Sequence, residues 1–318
     1  MINRDNWKVI NQYLQYRRDV DLLAVSSCRL ESTWLFHLLK WSDSVDFVLA
    51  EKIRPSFPKY LISLQLSPVY TTHIMRCSYR FFRWFVNRRG SSSISPAWLD
   101  TLKIRGMTIE HADHEAVTYD EICAIASAPV KTIRDRRIRA SAVFWWLSGI
   151  RVGAFVTLPV SAVDLDNLTI KQWPKLGVKT KFKKHATTFL LDIPDLIEVL
   201  KDWDFELRKA HSYFWFASVS PETGLINSTI SSVGVHRNIR AAKDLRVWLG
   251  RVGLPYHSPH KFRHGHAVYA LKQAKDIPAL KAISQNLMHS NLSITDGVYG
   301  ILSDMDVQAQ IKALGKKI

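Results

Sequence analysis

The sequence predicts a mainly α-helical protein of two domains, with one small antiparallel β-sheet in the second. Three observations predict it. Apolar residues recur at helical spacing up to about residue 89 and again beyond Ile239. No periodicity is visible from Ile104 to Val117, which divides the chain into a helical domain over 1–105, a linker over 106–117 and a second domain over 118–318. Within the second domain, two short runs of strand type flank a lysine-rich turn, as in a hairpin. At 318 residues, 47% hydrophobic and 23% charged, the chain is long enough for more than one core and has the balance of a globular protein.

The elements follow in order. Trp7, Ile10, Tyr13 and Leu14 share a face of a first helix, and Leu35, Leu38, Leu39 and Val45 recur at the same spacing in a second. Tyr79 to Arg89, YRFFRWFVNRR, reads as a helix that interleaves aromatics with Arg80, Arg83, Arg88 and Arg89. The turn-rich GSSSISP at 90–96 ends it, and a short helix follows at Ala97–Lys103. The second domain opens on a capping box: Thr118 can accept from a first-turn amide while Glu121 reaches back. Arg136–Val156 reads as a helix, Leu168–Trp173 and Thr187–Ile193 as strands, and everything beyond Ile239 as helices.

Charge narrows the function. Lys and Arg number 44 against 28 Asp and Glu, a formal net charge of +16. Such a surplus implies a polyanionic partner or an anionic membrane surface. The N-terminus, MINRDNWKVINQYLQYRR, is charged throughout and lacks the apolar core of a signal peptide. The strongest apolar run, ASAVFWWLSGI at 140–150, is too short to span a bilayer. Nucleic acid is therefore the expected partner and no membrane is. Arg80, Arg83, Arg88 and Arg89 then have two readings: a solvated face behind an aromatic stripe, or contacts to DNA phosphates. Cys28, Cys77 and Cys123 are scattered, which argues for the reducing cytoplasm and against a disulfide framework or thiolate zinc site.

Four segments of the second domain hold residues that need explaining. In LSGIRVGAF, 147–155, Arg151 directly follows a buried-looking helix. It is either a helix-end charge or a guanidinium fork aimed at a phosphate. KLGVKTKFKKHATTFLL, 175–191, puts five lysines between two strands, either a solvated hairpin tip or a DNA-touching one. In HSPHKFRHGHAVYAL, 257–271, Ser258 suits a helix N-cap and Pro259 the first helical position. His260 and Arg263 then share one face, while Phe262, His266 and Tyr269 fall on another. His257, His260, His264 and His266 could instead be zinc ligands, although no Cys, Asp or Glu lies among them. LMHSNLSITDGVYG, 287–300, supplies His289 and Tyr299.

Each segment is weak by itself, but their order is not. Arg, hairpin Lys, His-x-x-Arg, His and a late Tyr resemble the tyrosine recombinases, the phage integrases and Xer-like enzymes. LSGIR resembles that family's TGLR, HKFRH its HxLRH, LMHSNLSITDGVY its LGHSSIxTTxxY, and VTYDEI at 117–122 its LTxEE. The resemblance covers the second domain and extends more loosely to RFFRWFVNRRG in the first. Departures are Ala154 where the family usually has Glu, Met288 where it has Gly, and ten residues rather than nine from His289 to Tyr299.

The resemblance implies a SAM-like core-binding domain followed by a catalytic domain. It implies a catalytic set of Arg151, Lys181, His260, Arg263, His289 and the nucleophile Tyr299. Lys181 is the best match on the hairpin, with Lys175, Lys179 and Lys183 as alternatives, and Lys179, Lys183 and Lys184 are expected to bind the DNA backbone. It further implies a 3′-phosphotyrosyl intermediate, no metal, no cofactor and no ATP. The partner would be double-stranded DNA in the nucleoid, bound as a homo-tetramer by a protein that is monomeric or weakly associated when free. VQAQIKAL, 307–314, would form a last helix docked on its own domain or on a neighbour. No arm-site domain is evident, so a simple core site is expected. The competing functions are a non-catalytic DNA-binding protein on the same fold, a type IB topoisomerase-like relaxing enzyme, and the zinc protein.

Overall fold

The computed structural model describes residues 2–89, 94–103, 115–232, 234 and 236–289. Its contacts divide the chain into two compact units, Met1–Ala112 and Asp113–Ile318. Most of the predicted linker, 106–114, lies outside the described residues, as do Tyr299 and the expected helix at 307–314.

The first unit is helical: α1 (Arg4–Asp19), α2 (Val25–Ser42), α3 (Phe57–Ser63), α4 (Pro68–Arg89) and α5 (Pro96–Thr101). The Asn3 side chain caps α1 by accepting from the amides of Asp5 and Asn6. The buried face of α1 is not the predicted one. Trp7 is 56% exposed, and Asn6 is buried with Val9, Ile10 and Tyr13. The reason is polar: Asn6 donates to the Val45 carbonyl at 2.7 Å and to Ser42 Oγ at 3.1 Å, and accepts from the Phe47 amide at 2.9 Å. A buried amide satisfied on every side is tolerated inside, and it turns the helix away from Trp7. Val45 likewise lies past the end of α2 and is exposed, contributing its carbonyl rather than its side chain. Phe47 takes the core position and meets Phe81 and Phe82 of α4 edge-on at 5.4 and 5.5 Å.

In the second unit both halves of the capping box at α6 (Tyr119–Ser127) are present. The predicted helix over Arg136–Val156 is two helices, α7 (Ile133–Ser148) and the single turn α8 (Val152–Phe155). Gly149, at φ +62, ends α7 in the left-handed conformation that glycine adopts without strain. The chain passes on to α8 through Arg151 in extended backbone. Helix α7 is buried along nearly its whole length through Ile138, Val143, Phe144, Trp145, Trp146 and Leu147.

The sheet is antiparallel, β1 (Val163–Asp164), β2 (Thr169–Gln172) and β3 (Ala186–Phe189), in that spatial order. The predicted strands are shorter than expected, and two-residue β1 has too little pattern to read from sequence. The remaining helices are α9 (Pro194–Lys209), α10 (Arg237–Arg251), α11 (Pro259–Gln273) and α12 (Ile277–Asn286). Helix α11 lies so close to α7 and to the segment before α6 that a Cβ at Gly265 would stand 2.7 Å from Trp146 Nε1 of α7 and 2.1 Å from the Val117 carbonyl oxygen. Among the described residues no helix is long and apolar enough to cross a membrane.

Candidate active site

The turn after α7 sets the site. A Cβ on Gly149 would meet Leu287 at 2.7 Å and His266 at 2.8 Å, so the turn is seated directly on α11 and on the end of α12. Arg151 follows as the residue before α8, half-buried. It lines a cavity of about 400 Å³ together with Lys179, Lys181, His260, Gln172 and Met288. Four segments that are distant in sequence thus converge on one cavity.

Arg263 locks two of these segments together. It is 3% exposed on α11, and its guanidinium donates to the carbonyls of Gly149 and of Leu287, the latter at 2.6 Å. The same group lies 3.0 Å from His289 Nε2. Arginine can only donate, so Nε2 accepts and a neutral His289 carries its proton on Nδ1. Burial, then the charges of Arg263, Arg151 and Lys184, push the His289 pKa down to about 4. His289 is therefore neutral at pH 7, within the field of three cations. His260, exposed in the first turn of α11, meets His264 edge-on at 4.4 Å.

The hairpin divides its lysines among different tasks. Lys179 and Lys181 line the cavity, Lys184 acts on His289, and Lys183 is exposed. Lys175 turns instead to Trp173, with Nζ 4.6 Å from the ring. Lys171 stands 5.4 Å from the same ring and His185 stacks on it at 4.7 Å, so Trp173 staples the two sides of the hairpin. Sequence reading passed over Trp173, although a tryptophan set among lysines is a legible signal for cation–π contacts. It also passed over Gln172, for which a strand position offers no signal; its amide donates to Thr188 Oγ1 at 2.9 Å.

The histidines grouped in sequence do not share one target. His257 Nε2 is 2.9 Å from Glu121 Oε1. His266 is wholly buried, with Nδ1 2.9 Å from the Trp146 carbonyl oxygen. Among the described residues no three His, Cys, Asp or Glu side chains gather as metal ligands.

In the first unit, Arg80, Arg83 and Arg88 line a groove with Arg17, Tyr16 and Trp84. Arg80 is held 3.0 Å from the buried Glu31, which Arg17 also grips through two contacts of 3.1 Å. Arg83 and Arg88 are exposed, and Arg88 stands 5.7 Å over the Trp84 ring. Arg17, on α1, was not anticipated. The Arg89 side chain lies outside the described residues.

No protein-family model and no curated protein matches this sequence. Solved structures do. The Tn1549 transposon integrase in complex with a circular intermediate DNA superposes with a TM-score of 0.60 at 12% identity, over 98% of this chain and 100% of that one. The XerH site-specific recombinase bound to its difH substrate gives 0.62 at 13%, over 97% and 84%. A lambda integrase dimer bound to a COC′ core site gives 0.63 at 13%, over 93% and 78%. At such identities the likeness speaks for the backbone alone, and on that ground this chain has the fold of the tyrosine recombinases.

Proposed function

We propose that the chain is a site-specific DNA recombinase of the integrase or transposon type, which cleaves and rejoins DNA strands through a covalent bond to Tyr299. The observation that carries the reading is the convergence of Arg151, Lys181 and His260 on one cavity, beside the Arg263–His289 pair. Phosphoryl transfer is catalysed mainly by positioning and by stabilising charge on the non-bridging oxygens. Two arginines that stay protonated, with a lysine and two histidines, supply that chemistry. Each of the three similar structures holds DNA, which agrees with the +16 charge of this chain.

In this reading Arg151 and Arg263 hold the scissile phosphate, and His289 donates to it from Nδ1–H. Losing either arginine costs about 3 kcal/mol of barrier or more, as for one preorganised donor. Tyr299 Oη attacks phosphorus and its proton passes to His260; an unperturbed tyrosine, pKa about 10, needs such a base or a strongly positive site. The P–O5′ bond breaks as Lys181 transfers a proton to O5′. The products are a 3′-phosphotyrosyl ester and a 5′ hydroxyl. Because the ester conserves the bond energy, rejoining is the same sequence in reverse and requires no ATP. No metal is needed where the cationic side chains neutralise the phosphate. The working form is a tetramer on duplex DNA, since two duplexes with two cut strands each must be exchanged.

The test is to incubate the protein with supercoiled plasmid in excess EDTA, quench with SDS and look for covalent protein–DNA complex, with Tyr299→Phe alongside. The reading expects an adduct that survives EDTA and is absent from the variant. An adduct of equal yield from the variant would remove Tyr299 as nucleophile. Exchange between two mapped sites, rather than relaxation alone, then separates a recombinase from a relaxing enzyme.

A further inference from the structure

β3 is an edge strand of the described sheet, and on its outer side a side chain bonds its backbone. Asn286, the last residue of α12, accepts from the Phe189 amide through Oδ1 at 2.7 Å and donates from Nδ2 to the Phe189 carbonyl at 3.0 Å. The partners determine the orientation of the amide, since an N–H can only donate and a carbonyl only accept. A single side chain thus does for Phe189 what a neighbouring strand would do. On its inner side β3 pairs with β2 over only four positions, Thr169↔Phe189 to Gln172↔Ala186. The strand leads directly from the tip that carries Lys181, Lys183 and Lys184. At the other end of the clamp, Leu287 and His289 follow Asn286 at once and are held by Arg263.

We infer that Asn286 is a positioning residue for proton donation by the hairpin, tying the lysine-bearing strand to the segment that holds His289. This rests on the functional reading above, in which a hairpin lysine protonates the departing O5′. A four-residue ladder with an open edge is free to twist and fray, and a lysine at its tip then spends less time at the leaving oxygen. Two hydrogen bonds from the end of α12 tie that edge to the frame that holds the phosphate-binding groups.

The test compares two leaving groups on a duplex that bears the mapped cleavage site, one with the natural bridging O5′ and one with sulfur in its place. A thiol, with a pKa of about 8.5, departs as the thiolate without receiving a proton. Asn286→Ala is expected to cleave the oxygen substrate about tenfold more slowly, and the sulfur substrate within about twofold of the parent. Lys181→Ala should show the same pattern with a larger loss. The ratio of the two rates is independent of the folded fraction, so a destabilised variant still reports. Asn286→Asp, which keeps only the acceptor, should fall between Ala and the parent. If the deficit of Asn286→Ala is equal on both substrates, or absent from both, the proposal is overturned. If Asn286→Ala is rescued by sulfur but Lys181→Ala is not, the clamp serves another lysine of the hairpin; the inference stands and the assignment of Lys181 fails.

Discussion

Replacing Gly265 with Ala introduces one methyl group where α11 crosses α7. Its Cβ would stand 2.1 Å from the Val117 carbonyl oxygen and 2.7 Å from Trp146 Nε1. Those two atoms are hydrogen-bonded to each other at 2.9 Å, and neither can swing aside: one is backbone at the entry to α6, the other belongs to a fully buried ring. Helix α11 must withdraw by roughly 1 Å to restore ordinary contact. Overpacking of this kind costs about 1–3 kcal/mol, and parting two buried hydrogen-bonded groups about 1–3 more. Alanine returns up to about 1 kcal/mol as the better helix former. The net loss lies between about 1 and about 6 kcal/mol, centred on about 3.5, a fall in Tm of about 10 °C for a unit of this size. Gly250→Ala, at a position in α10 where a Cβ meets nothing within 4 Å, is the matched control. It should gain up to about 1 kcal/mol. Thermal melts of both variants followed by tryptophan fluorescence decide the matter, and a Gly265→Ala protein as stable as the parent would refute the packing argument.

Two further outcomes are expected. His266 is held neutral by burial, with Arg263 adding to the effect, and its pKa is pushed down to about 4. In the unfolded chain it titrates near about 6.5, so the unfolded state takes up the proton first. Its contribution is intact above that pH and is lost progressively as the pH falls toward 4, by about 3 kcal/mol. His266→Asn should flatten the pH dependence measured by urea unfolding between pH ~7.5 and ~4.5, and an unchanged slope would rule this out. Asp244 lies 2.5 Å from Arg137, which is 5% exposed and also donates to the Ala217 carbonyl at 2.7 Å. Asp244→Ala leaves that guanidinium buried without its carboxylate, at a cost of about 3–5 kcal/mol. Adding Arg137→Met should restore most of the loss, and a single variant of parental stability would show that the pair carries no such weight.

Local signals were legible wherever the chemistry is local. Thr118 and Glu121 announce the start of α6 because a capping box is complete within four residues. Ser258 at the N-cap position and Pro259 at the first helical position mark the start of α11, although the Ser258 side chain makes no capping hydrogen bond, and the lysine-rich turn announces the β2–β3 hairpin. Failures occur where a distant partner decides. Asn6 looks like a surface residue until Ser42, Val45 and Phe47 surround its amide, and Trp7 looks like core until that amide takes the inside. The break at Gly149 hides in a continuous apolar run, since a single glycine is compatible with a helix until Leu287 and His266 fill the space beside it.

By itself the sequence determined the residue types of the site, their order along the chain and the helices and hairpin that present them. Those follow from side-chain chemistry, capping and periodicity, which act over a few neighbouring residues. Only the tertiary structure decided that Arg151, Lys181 and His260 border one cavity, that Arg263 binds the turn after α7 to the end of α12, and that Asn286 closes the edge of β3. It also separated histidines that look alike in sequence: His257 beside Glu121, His266 neutral in the core, His289 neutral among cations. The physical reason is that proximity and desolvation are properties of everything packed around a group, and most of what surrounds these residues lies far away along the chain.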